Sequence, residues 1–458
     1  MASNRGEGGL AAQPRLPAAG ARQALSWSTC LDTYLPALVL ALGTGIALPA
    51  IPTLARSFHV SFAVASGVLT AFLLGGVFGT LPSGWLIDRL DVTWVLACGF
   101  FVWSCATTIT GLMHGFVALL TVRLILGIGE AVAYPSYAKI LARDFSLRQR
   151  GLANGAIAAG QFTGPAVATL AGGILMAKFG WRPFFIVLGL ICLVWLVPWM
   201  FYTRPLRALA PVRLRPHGAA NGDAAGAGPD SAVVNRAISA DPPSIVAILV
   251  QRSFYGACVS HFCCNYLVYF LLTWLPYYLV RQRHFSMQAM AKIGGLAFLM
   301  SAVSSLLFGW ISDHWIDAGP HGSRARKWMF VIGLAGGGVS LTLAIVVPAA
   351  LSVVLLVAAS SFYGIANPLL FAGTQTLAGP GAAGQWMGAQ NFAGNFAGII
   401  APALTGFLVE RTGNFLLAVA VLGALTLVGS LSWLFVVGPI APVSWPARRA
   451  PAGQNVSA

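Results

Sequence analysis

The stretch RLILGIGE, residues 123 to 130, begins with Arg123 and ends with Glu130 in otherwise apolar surroundings. In a helix turning ~100° per residue these two positions return to nearly the same face, ~10.5 Å apart along the axis. Their types fit two tasks. A guanidinium is planar, stays charged when buried, and holds a carboxylate through two charge-assisted hydrogen bonds. A carboxylate in a low-dielectric setting can load and release a proton, and water or substrate fits between the two groups. The competing reading is a structural ion pair tying this helix to a neighbour.

Composition identifies the solvent around the pair. Hydrophobic residues make up 57% of the 458, charged residues only 9%, and the mean hydropathy is +0.79. Soluble domains carry roughly 25% charged residues, so the chain reads as a polytopic membrane protein. Twelve apolar segments of helical spanning length can be marked. They run over 27 to 52, 63 to 87, 92 to 112, 115 to 141, 152 to 177, 181 to 203, 254 to 280, 290 to 315, 327 to 348, 350 to 376, 385 to 409 and 412 to 438.

The expected organisation is an N-terminal tail (1 to 26), a six-helix bundle (27 to 203), a linker (204 to 253), a second six-helix bundle (254 to 438) and a C-terminal tail (439 to 458). The linker is rich in Ala, Gly and Pro, a composition that buries no core. The net charge of +15 would suit nucleic acid, but the basic residues follow topology instead. Arg89, the Arg143, Arg148 and Arg150 cluster, the linker arginines, and Arg324, Arg326 and Lys327 fall on one side. The positive-inside rule puts that side, with both termini, in the cytoplasm of a cell with this chain in its inner membrane. The first segment is long enough to span and has no evident cleavage site after it, so a removable signal peptide is not expected.

Internal echoes relate the halves. Residues 84 to 88 read GWLID at the end of the second segment, and 309 to 313 read GWISD at the end of the eighth. Residues 160 to 164, GQFTG, are echoed in the eleventh segment by 394 to 398, GNFAG. Two echoes in one order indicate a duplication, and hence an all-α fold of two pseudosymmetric bundles. Twelve helices in two such bundles, with the loop motif GWLIDRLDV, resemble the major facilitator superfamily from about residue 27 to 440. The motif keeps Gly84, Leu86, Asp88 and Arg89, but has Asp91 where the superfamily usually has Gly. The resemblance implies gating roles for Asp88 and Arg89, and for Asp313 at the repeat-related place. Asp88 at a helix end can cap or pair with neighbouring helix ends.

Further stretches resemble the anion:cation symporter family. They are Arg123 to Glu130 followed by Pro135; RGLANG at 150 to 155 with Gly164, Pro165 and GWR at 180 to 182; TWLPYYL at 273 to 279; and NFAGN at 391 to 395 with Pro402, Thr405 and Gly406. Family members usually carry an Asp-Arg pair in the first helix, where this chain has Leu40 and Ala41. The resemblance implies proton-coupled symport of a small organic anion, such as a sugar acid, by a monomer in the bilayer. Arg123 would then anchor the anion and Glu130 would couple the proton. Of the twelve acidic residues, Glu130 alone lies deep within a segment.

Gln161 and Asn395 are the repeat-related amides of the fifth and eleventh segments, suited either to substrate hydroxyls or to interhelical hydrogen bonds. Asn391 lies one turn from Asn395 on the same face. Tyr266, Tyr269 and Thr374 complete the candidate binding set, and Lys139, near a helix end, is expected to snorkel. A drug-efflux antiporter is the alternative function. GQFTGP begins like the antiporter motif of the fifth helix, but its proline is too far from Gly172 and Gly173. A transporter-like sensor would carry an appended soluble domain, which these short tails do not suggest. No nucleotide-binding or nucleophile motif is present, so neither an enzyme nor a cofactor is expected. The seven cysteines lie in apolar segments as packing residues, and His261 beside Cys263 and Cys264 has no metal-ligand spacing.

Overall fold

A computed structural model describes residues 54–167, 173–213, 242–317 and 321–445. The first expected segment, 27 to 52, lies outside them, as do the N-terminal tail, most of the linker and residues 446 to 458. The described residues are helical without strands, and eight of their helical stretches are long and apolar enough to cross a membrane. The chain is an all-α membrane protein. The second segment is the helix Phe62–Arg89 and the third is Val92–Leu112; the fourth is divided into Phe116–Glu130 and Ala133–Asp144. The fifth contains Arg150–Val167 and Gly173–Phe179, and the sixth is Trp181–Arg213, which runs on past 203. The seventh is Arg252–Thr273, the eighth Met287–Asp317, the ninth Gly322–Val346 and the twelfth Leu416–Leu431. The tenth and the start of the eleventh lie in one run, Ala349–Asn395, broken at Gly379 (φ 64°) before Pro380; Ala397–Thr412 completes the eleventh.

The division of the fourth span follows from its sequence. Pro135 has no N–H to give the carbonyl of Ala131, one turn back. Ser83 of the second span supplies the missing donor, its Oγ lying 3.0 Å from Ala131 O. The glycines of RLILGIGE let two neighbours come close. A Cβ on Gly127 would collide with the carbonyl oxygen of Phe72 in the second span, and one on Gly129 would lie 2.9 Å from the amide of Trp103 in the third. The apolar bulk of the stretch therefore faces helices, and small residues set its packing distance.

The two halves meet where the second span crosses the eleventh and the fifth crosses the eighth. Gly84 packs on Gly384 and Gly388, while Gly309 packs on Gly151. Asp88 accepts from the backbone amides of Gly384 (3.1 Å) and Gln385 (2.7 Å). Asp313 accepts from those of Gly151 (2.8 Å) and Leu152 (2.7 Å). Each carboxylate thus sits at helical amides of the opposite half, where the helix dipole favours negative charge.

Candidate functional site

Besides Ser305 Oγ donating to Gly155 O at 3.1 Å and the ring contacts of Phe78 with Phe392 and of Phe162 with Tyr363, the closed seam carries three layers counted away from Glu130. The nearest is Tyr134, whose ring stacks on Phe371 of the tenth span with centroids 4.9 Å apart. The next is a reciprocal amide pair. Asn154 Nδ2 donates to Gln375 Oε1 at 2.9 Å, and Gln375 Nε2 donates to Asn154 Oδ1 at 3.0 Å. Arg150 supports that layer, its guanidinium donating to the carbonyls of Leu141, Ala142 and Phe145 at the end of the fourth span and reaching Gln375 O. The outermost layer is the two aspartates. Asp88 also accepts from Lys139 Nζ at 2.9 Å, and Asp313 from Arg326 Nη2 at 2.6 Å. The snorkelling expected of Lys139 is thereby corrected, because the second span places a buried carboxylate within its reach. Arg89 is exposed, its guanidinium over the Trp85 ring at 4.4 Å.

Arg123 is buried, 2% exposed, and its guanidinium lies over the Phe185 ring of the sixth span at 4.8 Å. Among the described residues its Nε and Nη2 have no hydrogen-bond partner. These two nitrogens form the side-on edge of the guanidinium, the edge that presents parallel N–H groups to a carboxylate. Among the described residues, ion pairs join Lys139 to Asp88, Arg143 to Asp144, and Arg326 to Asp313. The Glu130 carboxylate lies within electrostatic reach of Tyr134 and Tyr137 on its own span and of Tyr269 on the seventh.

The remaining candidates divide between the halves. Gln161 accepts a 2.5 Å hydrogen bond from the Tyr134 hydroxyl. Asn395 accepts one from Asn265 Nδ2 of the seventh span at 2.9 Å. The repeat-related amides thus each meet a partner within their own half. Asn391 is buried, and Tyr269 packs its ring against the backbone at Gly398. Tyr266 is buried, and its hydroxyl has no hydrogen-bond partner among the described residues. Thr374 donates to Gln390 Oε1 at 3.1 Å, as does Trp386 Nε1, and Gln390 Nε2 lies 3.4 Å from His261 Nδ1. That group belongs to the interior of the second half. Tyr134, Phe371, Phe185 and Asn265 are the neighbours that sequence reasoning did not single out. Only Tyr134 carried a signal, lying one helical turn from Glu130 and therefore on its face.

Long helices in two halves, polar groups buried at their seam and inter-half contacts that can be broken define a membrane transporter. The family model of the Major Facilitator Superfamily matches residues 34–402, and the chain belongs to this superfamily. The "Probable galactarate/D-glucarate transporter" of Bacillus subtilis (strain 168) is 28% identical over 384 residues, covering 82% of this chain and 84% of its own. The "Probable sulfoacetate transporter" of Cupriavidus necator is 28% identical over 393 residues, 84% of this chain and 87% of its own. The "Hexuronate transporter" of Bacillus subtilis (strain 168) is 27% identical over 376 residues, 81% and 85% respectively. Among solved structures, the fold matches a proton:xylose symporter with a TM-score of 0.68 at 14% identity, over 90% of this chain and 97% of that one. The Escherichia coli fucose:proton symporter matches with a TM-score of 0.64 at 13% identity, over 89% and 98%. The protein is a transporter and not an enzyme.

Proposed function

We propose that this transporter moves a small organic anion together with a proton by alternating access. The observation that carries the reading is the buried Nε and Nη2 edge of Arg123, which has no hydrogen-bond partner among the described residues. Buried cationic donors left without an acceptor are costly, and a carboxylate from outside the chain offsets that cost through two charge-assisted bonds. The names of the relatives support the class, since galactarate, hexuronate and sulfoacetate are all small anions bearing a carboxylate. Glu130, on the face of Arg123 and near tyrosines of both halves, is the group assigned to the proton. Gln161, Asn391, Asn395, Tyr266, Tyr269 and Thr374 remain the candidates for contacts to the rest of the substrate.

The end bearing Asp88 and Asp313 faces the cytoplasm in this reading, in the inner membrane, and the chain works as a monomer. Opening to that side breaks the aspartate contacts with the opposite half, so these residues gate. The test is binding to the purified protein of galactarate, D-galactonate, sulfoacetate and, as the arm for efflux, lipophilic cations. Arg123→Lys is expected to abolish stabilisation by the anions while the variant stays folded. Binding of the cations but not the anions by the wild type would overturn the reading. Glu130→Gln is expected to retain substrate exchange across proteoliposomes and lose accumulation driven by a pH gradient. Undiminished accumulation in that variant would remove Glu130 from the proton step.

A further inference from the structure

Gln161 is already occupied. Its Oε1 accepts the Tyr134 hydroxyl at 2.5 Å, and the same tyrosine ring stacks on Phe371 of the other half. Phe371 in turn meets the His261 ring edge-on at 5.4 Å, so it is held from its own half as well. One side chain therefore joins a candidate substrate acceptor to the layer of the inter-half seam nearest Glu130. We propose that Tyr134 makes Gln161 a sensor of substrate hydroxyl groups, so that only a hydroxylated carboxylate releases the Tyr134 to Phe371 closure. This inference rests on the reading of Arg123 as the anion anchor.

Release takes place by an exchange of hydrogen bonds. A substrate hydroxyl that donates to Gln161 Oε1 competes with the tyrosine at the same acceptor. Once displaced, the Tyr134 hydroxyl has lost its fixed partner, and the stack that it orients loses its support. A carboxylate without hydroxyl groups binds Arg123 equally well but leaves the tyrosine in place, and the seam stays shut. Specificity of this kind appears in transport more than in affinity. It follows the general rule that a site built around a hydrogen bond rejects the analogue lacking it far more strongly than a purely apolar site could.

The experiment compares three six-carbon anions, D-galactonate, galactarate and adipate, for binding to the full chain and for uptake into proteoliposomes. In the wild type all three are expected to bind through Arg123, with uptake of the preferred hydroxylated anion exceeding adipate by about 100-fold. Tyr134→Phe keeps the ring but removes the hydroxyl that orients its stack, so the closure is released without a substrate hydroxyl, and should narrow that ratio about tenfold, chiefly by faster adipate uptake. Gln161→Leu removes the acceptor from the other side and should narrow it likewise. An unchanged ratio in both variants, or an equal fall in uptake of all three anions, overturns the sensor. If Arg123→Lys retains wild-type binding, the anion-anchor reading fails and the sensor falls with it. Loss of binding in Arg123→Lys together with an unchanged ratio in Tyr134→Phe overturns the sensor alone.

Discussion

Arg326 and Arg123 are both buried arginines, 1% and 2% exposed, yet they are treated differently by their surroundings. Arg326 Nε donates to Ser312 Oγ at 2.7 Å, and its Nη2 donates to Asp313 and to Leu147 O of the other half. Arg123 has an aromatic face beside it and two nitrogens without an acceptor among the described residues. A cation at the inter-half latch is satisfied by the protein, whereas the cation in the fourth span has donors to spare. The difference separates a charge that holds helices together from one suited to a ligand.

Exchanging the readouts of the two sites is the strongest way to break this comparison. Arg326→Ala breaks a buried ion pair with Asp313 and should lower stability by about 3–5 kcal/mol, read by thermal unfolding in detergent. Affinity for a bound anion should change little in that variant. Arg123→Lys should do the reverse, raising Kd by about 100-fold, ~2.7 kcal/mol, with a smaller change in unfolding temperature. If Arg123→Lys destabilises as strongly as Arg326→Ala and leaves Kd alone, both arginines are structural and the distinction is lost.

Which parts of this arrangement could be read beforehand follows from the range of the interactions. The echo of GWLID in GWISD marked Asp88 and Asp313 as equivalent because repeats preserve local sequence. That each would bind backbone amides of the opposite half was not legible, since it depends on how two bundles are docked. Lys139 was misread for the same reason, its partner lying on another helix. The equivalence of Gln161 and Asn395 was visible as a pattern, but their partners Tyr134 and Asn265 were not. One reading was physical rather than comparative: a deep arginine and glutamate on one face are expensive enough in lipid to demand a reason.

The two glycine crossings sharpen the comparison within the latch. A Cβ on Gly84 would lie 2.6 Å from Gly384 O, and one on Gly309 would lie 2.5 Å from Gly151 O. Gly84→Ala and Gly309→Ala should each disfavour this closed end by about 1–3 kcal/mol, because backbone rather than a movable side chain stands in the way. Faster hydrogen exchange at the amides capped by both aspartates would be the sign of opening. Exchange unchanged in both variants would mean that the crossings have slack and do not set the closure.

Substituting the aspartates themselves should weaken the contact between the halves by up to ~2 kcal/mol each, the range for a charge at a partly buried helix terminus, apart from the loss of their pairs with Lys139 and Arg326. Asp88→Asn should speed exchange at Gly384 and Gln385, and Asp313→Asn at Gly151 and Leu152. If the halves open as rigid bodies, each substitution also speeds exchange at the other pair. Purely local changes would instead mean that the latches act independently.

Arg89 is expected to have the smallest effect, although it stands next to Asp88 in the same motif. Its guanidinium is exposed and lies over the ring of Trp85, an exposed residue one turn back on the same helix. A cation–π contact at an exposed site contributes ~0.5–1 kcal/mol, and this one joins two residues of one helix. Opening of the seam leaves both partners on that helix, so the contact need not change between states. Arg89→Ala should therefore lower stability slightly and leave exchange at Gly384 and Gln385 within about twofold of wild type, against the larger change in Asp88→Asn. Should Arg89→Ala match Asp88→Asn in that measurement, the arginine takes part in the latch through a contact formed in another state, and gating would involve the whole motif rather than its buried carboxylate.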